Sequence, residues 1–397
     1  MDLRVPLWQR LADSLVERRA NGLYREPVEF RSHAGRLLVS PAGETLIHFG
    51  SNDYLGLCWH PELKLALQTT WSAEPPPAPQ EDRYGAGASP LLAGHSATHE
   101  DLRRVVANLE NTEDSILFSS GFAANLGAIS GLAGPADAIF SDELNHASLI
   151  DGCRLSKAKV FIYQHNDCDH LEELIARHRK DYAQAFVATD SLFSMDGDIA
   201  DLPRIEQLAD RHDLIGIVDE AHATGVYGQR GGGLLSEMNC QSERWVKVGT
   251  FSKAIGCAGG FVAANRTVIE WLHNFARPYI YSTAMPVLHC NAARRSIELL
   301  REMDTERLNL RSRARQLRAD LRALGHRVGG EDSPILALYG PDVPTVLAWA
   351  QNLRRSGIYA PAIRPPTVPA DRPMLRISLS ASHLPEDFER LLQACRF

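Results

Sequence analysis

The sequence holds no Cys-x-x-Cys pair, and its seven cysteines (Cys58, Cys153, Cys168, Cys240, Cys257, Cys290 and Cys395) are scattered and odd in number. That argues against a disulfide framework and a thiolate zinc centre; it reads as reduced thiols in a cytoplasmic protein with no metal site. No apolar run approaches the ~18 residues of a membrane-crossing helix. The opening Met1-Asp-Leu-Arg-Val-Pro-Leu-Trp-Gln-Arg10 has an early acid and no apolar signal region, so neither export nor a membrane partner is expected. A formal charge of −7 leaves no basic excess to serve a nucleic acid. Three catalytic signatures are missing as well: the G-x-S-x-G nucleophile elbow, the H-E-x-x-H zinc helix and the G-x-x-x-x-G-K-[ST] phosphate loop. Without that loop, Asp219-Glu-Ala-His222 cannot be a helicase box. Gly85-Ala-Gly87 runs into Ala-Ser-Pro90 instead of a helix start, so it reads as a substrate-side loop and not a dinucleotide fingerprint.

What is present alternates. Apolar strand-like runs occur at residues 115–119, 138–141, 160–163, 185–189, 214–219, 246–249 and 260–263, with helical stretches such as 169–178 and 203–212 between most of them. Strand and helix in alternation predict an α/β fold with a mostly parallel, doubly wound sheet. Helical spacing over 7–21 ends at Gly22, a short strand pair is expected within 28–49, and a helix spans 96–109. The Pro-rich run 73–82 reads as an exposed loop. A long polar helix is expected from Pro286 to Leu324, then strands at 335–339 and 375–379 and a helix from Pro385. These elements divide the chain into an N-terminal helix with short strands over 1–48, a large α/β domain over 49–288 and an α+β domain over 289–397.

Polar groups gather where the apolar runs stop. Ile215-Gly-Ile-Val-Asp219-Glu-Ala-His222 delivers a carboxylate and an imidazole, and Val248-Gly-Thr250-Phe-Ser252-Lys253 delivers two hydroxyls and an amine. In open α/β sheets ligands bind outside the carboxyl ends of the strands, so these residues face one crevice. Taken singly each has a plain reading: Asp219 as a turn acid or cap, His222 as a packed surface histidine, Lys253 as a solvated charge, His146 as a helix-start residue. Ser120-Gly121-Phe122 supplies a strand-to-helix junction suited to phosphate, a weak signal alone. Ser194 follows another strand end. Five successive strand ends bearing polar groups are a pattern that chance rarely produces. An acid, a lysine amine and phosphate-sized donors are the parts of a pyridoxal phosphate site.

With these segments assembled, the chain resembles the α-oxoamine synthase family of fold-type-I pyridoxal-phosphate-dependent enzymes over nearly its whole length. The resemblance rests on Ser51-Asn52-Asp53-Tyr54-Leu55-Gly56-Leu57, Gly94-His-Ser96, Ser120-Gly121-Phe122-Ala-Ala-Asn125, Asn145-His146-Ala-Ser148, Phe193-Ser194-Met195-Asp196-Gly197-Asp198, Asp219-Glu-Ala-His222-Ala-Thr-Gly225, Thr250-Phe-Ser-Lys253, Tyr281-Ser282-Thr283-Ala-Met285-Pro286 and Arg376-Ile-Ser378. It implies that Lys253 binds the cofactor covalently and moves the Cα proton, that Asp219 pairs with the ring nitrogen, that His222 contacts the ring oxygen and that His146 stacks on the ring. Gly121, Phe122, Thr250 and Ser252 would hold the phosphate, and Ser194 would join the cofactor-binding set. Ser282 and Thr283 would reach the phosphate across a homodimer. Asn52 and Arg376 would orient the amino acid's carboxylate, with Arg25 on the acyl-donor side. The implied reaction joins an amino acid to an acyl-CoA or acyl-carrier-protein thioester with loss of CO₂. Gly94-His-Ser96 and Tyr281-Ser-Thr-Ala-Met-Pro286 are similar to the branch that uses L-alanine and a pimeloyl thioester in biotin formation. Asp190 stands where the family commonly has glutamate and His95 where it commonly has tyrosine, which leaves the acyl chain open. A sibling synthase using glycine or serine, and a catalytically silent homodimer subunit, are the competing readings; the latter expects loss of the lysine, acid or histidine, and all are present.

Overall fold

Seven apolar runs form one sheet, in the order Asp114–Phe118, Gly260–Ala264, Trp245–Thr250, Leu214–Asp219, Ala185–Asp190, Ala138–Asp142, Lys159–Tyr163. The last five in that order run parallel, and Gly260–Ala264 pairs antiparallel with both of its neighbours. The sheet is therefore mostly parallel, as the alternating pattern requires. Close strand packing is bought with glycine at two points. A Cβ on Gly216 would lie 2.3 Å from the Trp245 ring, and one on Gly249 would lie 2.2 Å from the Phe261 ring. The helix Gly121–Leu132, apolar almost all round, covers one face together with Ala147–Ser156 and Arg266–Phe275. Ile116, Phe118, Ile129, Leu149, Phe186, Ile217, Val248 and Val262 form the core between them.

The computed structural model describes residues 5–69 and 84–396, so the Pro-rich run 73–82 lies outside the described residues. Two compact units emerge, residues 52–312 and a discontinuous pairing of 1–51 with 313–397, where the sequence reading drew boundaries after 48 and 288. In the discontinuous unit the first helix is Leu7–Ala20 and ends before Gly22 at φ +66°. Three short strands follow in place of the expected pair, Arg31–His33, Leu37–Val39 and Thr45–His48, and Ile358–Tyr359 joins them in parallel. A second small sheet contains Ile335–Tyr339, Met374–Ser378 and the two-residue strand Ala362–Ile363.

The single helix expected over 286–324 is two helices, Val287–Leu300 and Asp304–Ala323. Arg307 explains the break. Its guanidinium bonds the Leu300 carbonyl at the end of the first helix and the Asp304 carboxylate at the start of the second. Acids at Asp304 and Glu306 also suit a new helix N-terminus. Among the described residues, no helix is long and apolar enough to cross a membrane.

Candidate active site

The parallel register brings strand ends level. Asp190 lies beside Asp219, and the neighbouring strands end at Asp142 and Thr250. Asp219 is 5% exposed. One of its oxygens accepts from Asn125 Nδ2 at 2.6 Å and the other from the Ala221 amide at 2.8 Å. Both partners are N–H donors, the kind a carboxylate accepts from. Asn125 also donates to Ser148 Oγ at 2.8 Å, and Ser148 Oγ pairs with His146 Nδ1 at 2.7 Å. One buried amide thus ties the acid to the serine that orients His146.

His222 is buried, and its Nδ1 lies 2.6 Å from the Tyr54 hydroxyl, which in turn reaches Asn52 Oδ1 at 3.3 Å. The chain Asn52–Tyr54–His222 sets the ring's orientation. His146 caps the helix Ala147–Ser156, and its own amide donates to Asp190 Oδ2 at 2.7 Å. Its ring remains accessible, as does Phe122, which stands edge-on to it with centroids 6.3 Å apart. Lost solvation lowers the His146 pKa, the Asp219 charge opposes that shift and the Lys253 charge adds to it. Asp190 is pushed well above the carboxylate range by burial, then by Asp219, while Lys253 pulls it back. The acid at 219 and the amine at 253 therefore act on the same two groups from adjacent strand ends.

Thr250 and Ser252 adjoin the N-terminus of the helix Gly121–Leu132. A Cβ on Gly121 would lie 3.0 Å from Thr250 Cβ, a tight contact that a glycine avoids where the helix end meets the strand end. Thr250 Oγ1 donates to the Gly259 carbonyl at 2.9 Å and lies 2.8 Å from Ser252 Oγ. Ser120 caps the helix through the Ala123 amide at 3.1 Å, and the first-turn N–H groups have no partner inside the helix. Ser194 is half-buried in the turn after Ala185–Asp190; Ser282 is half-buried and Thr283 exposed in the segment before Val287–Leu300. Arg25 and Arg376 belong to the discontinuous unit. There Arg25 donates to Thr367 Oγ1 at 2.7 Å, and Arg376, on the strand Met374–Ser378, donates to Ser378 Oγ at 2.7 Å.

These residues fit pyridoxal phosphate. A helix end that begins with glycine and adjoins two hydroxyls suits the phosphate. The accessible His146 face suits a flat ring, and a buried, donor-held Asp219 suits a protonated ring nitrogen. Sequence reasoning overlooked Asn125 and Tyr54 as supports. Asn125 was detectable as the one polar side chain within Phe122-Ala-Ala-Asn125-Leu-Gly-Ala-Ile129; Tyr54 carried no signal of its own.

The profile of the aminotransferase class I and II family matches residues 44–395. An 8-amino-7-oxononanoate synthase of Thermoanaerobacter pseudethanolicus is 38% identical over 385 residues, covering 97% of this chain and 95% of the relative. A solved serine palmitoyltransferase of S. paucimobilis with bound PLP superposes with TM-score 0.90 at 29% identity, covering 99% of this chain and 98% of that one. A solved 8-amino-7-oxononanoate synthase of Francisella tularensis superposes with TM-score 0.73 at 28% identity, covering 88% and 97%.

Proposed function

The chain belongs to the aminotransferase class I and II family and, within it, to the pyridoxal-phosphate-dependent α-oxoamine synthases, acyltransferases; from that premise we propose that it condenses L-alanine with a pimeloyl thioester, of CoA or a carrier protein, to an aminoketone in biotin formation. The observation that supports the chemistry is the set of level strand ends, with Asp190 beside Asp219 and one Asn125 amide bonded both to Asp219 and to the serine that pairs with His146. The choice of substrates rests on relatives named 8-amino-7-oxononanoate synthase that cover almost the whole chain.

Bound pyridoxal phosphate supplies an electron sink for charge developing at the amino acid's Cα. Lys253 Nζ is proposed to hold the cofactor and then to take and return the Cα proton as general base and acid. Asp219, positioned by Asn125, keeps the ring nitrogen's proton in place. His222, its Nδ1 held 2.6 Å from the Tyr54 hydroxyl, would contact the cofactor's ring oxygen. Gly121, Phe122, Thr250 and Ser252 receive the phosphate, with Ser194 among the cofactor contacts and Ser282 and Thr283 serving the partner subunit of a homodimer. Asn52 and Arg376 are assigned the amino acid's carboxylate, and Arg25 the acyl donor.

A second reading, a sibling synthase using serine or glycine and another acyl group, is favoured by the TM-score of 0.90 to a serine palmitoyltransferase. A panel of alanine, glycine and serine against short, pimeloyl and palmitoyl thioesters, with products identified by mass, separates the two. Alanine with pimeloyl thioester is expected to give the dominant aminoketone; a dominant serine–palmitoyl product refutes the proposal.

A further inference from the structure

His165 lies in the segment after the strand Lys159–Tyr163, and the reaction assigns it nothing. Its Nδ1 lies 3.0 Å from Asp142 Oδ1 and its Nε2 lies 2.6 Å from Asp198 Oδ2. Both ring nitrogens therefore face carboxylate oxygens. A neutral imidazole has one N–H, so two acceptors are served together only by the imidazolium. The Phe193 ring stands edge-on to it with centroids 4.4 Å apart. Neighbouring bonds repeat the same pattern. The His165 amide donates to Glu143 Oε1 at 3.0 Å and the Asn166 amide to Asp142 Oδ2 at 2.9 Å. Asn166 Nδ2 donates to the Ile199 carbonyl at 2.9 Å. Asp142 begins the turn that delivers His146, and Asp198 closes the turn that contains Ser194, where the Phe193 amide donates to the Asp198 carbonyl at 3.0 Å.

We propose that His165 is a positioning residue, a cationic clasp between the turn that carries His146 and the turn that carries Ser194, and so sets the two walls of the cofactor site. The inference rests on the pyridoxal phosphate reading of that site. Charge balance agrees with it. Burial alone would lower the His165 pKa, but the bonds and charges of Asp142 and Asp198 carry it up to about 10. The acidic groups facing it are Asp142 and Asp198 at the ring and Glu143 at its amide. Without the cation, Asp142 and Asp198 would keep two negative charges within reach of one another and only N–H donors of the loops to hold them.

The test uses the full-length protein as purified with its cofactor. Histidine selectively labelled with ¹⁵N, assigned through His165→Gln, is expected to show both nitrogens of His165 protonated at pH 8; a neutral ring at pH 8 overturns the proposal. His165→Gln and Asp198→Asn are each expected to weaken pyridoxal phosphate binding and to lower kcat by about tenfold, the loss for exchanging a charge-assisted hydrogen bond for a neutral one. The KM for the thioester should stay within twofold of wild type, and the visible band of bound cofactor should shift at temperatures where the variant is fully folded. If His165→Gln does not fold, Asp198→Asn decides alone, since it retains an acceptor oxygen. Wild-type cofactor affinity, spectrum and kcat in a folded variant contradict the clasp. Absence of cofactor from the wild type would instead remove the underlying reading.

Discussion

Replacing Asn125 with leucine removes one amide from the site and little volume. Asn125 is 1% exposed and spends both of its amide hydrogens, one on Asp219 at 2.6 Å and one on Ser148 at 2.8 Å. A hydrogen bond to a charged group contributes about 1.5–3 kcal/mol. Asp219 would keep only the Ala221 amide, while Ser148 would keep His146. The loss should fall mainly on the acid. If the acid's charge is what the ring nitrogen needs, 1.5–3 kcal/mol appears as roughly 10- to 150-fold weaker cofactor binding. Asn125→Asp should be worse, because a second carboxylate would then stand against Asp219; at an effective dielectric of 20 two charges about 4 Å apart repel by about 4 kcal/mol. The assay is a titration of cofactor-free protein with pyridoxal phosphate, followed by absorbance at pH 8, with thermal unfolding of the same samples. A folded Asn125→Leu protein that binds the cofactor with wild-type affinity would refute the assignment of Asp219.

Tyr54→Phe removes the hydroxyl that orients His222, and kcat should fall several-fold in steady-state kinetics with thermal stability reduced by about 1 kcal/mol. Gly233→Ala should fail to give soluble folded protein in expression trials, because a Cβ at that position, φ +85°, would lie 1.5 Å from Glu220 Oε2. Glu110 is fully buried beside Glu220 and Lys247, and lost solvation raises its pKa from 4.5 to about 7. The folded state holds that proton more tightly than the unfolded chain, so the contribution is whole below about pH 4.5 and is lost as pH rises to about 7. Glu110→Gln should therefore flatten the decline of stability across that window in denaturant melts; an unchanged slope counts against it.

Most of the sheet was legible because its strands are buried on both faces and read as unbroken apolar runs, such as Ala185–Asp190 and Leu214–Asp219. Their polar ends were legible for the same reason, since a charge at the end of such a run is conspicuous. The strands Ile358–Tyr359 and Ala362–Ile363 were not, because two residues carry no periodicity and are set by their partners. The break between Val287–Leu300 and Asp304–Ala323 was hidden for another reason. Its cause is the double reach of Arg307, and Arg-rich helical sequence looks the same whether or not one guanidinium turns back on a helix end. Lys253 and Asp219 stand out as candidates in the sequence itself; the bonds of Asn125 and Tyr54 are ones that only the fold creates.

Borohydride reduction of the purified protein, followed by peptide mass mapping, reads the bond on which the proposed mechanism stands. The expected result is loss of the visible band and a reduced pyridoxyl group on the peptide containing Lys253, with neither seen in Lys253→Ala. A band that persists in Lys253→Ala, or a pyridoxyl group found on another lysine, contradicts the account.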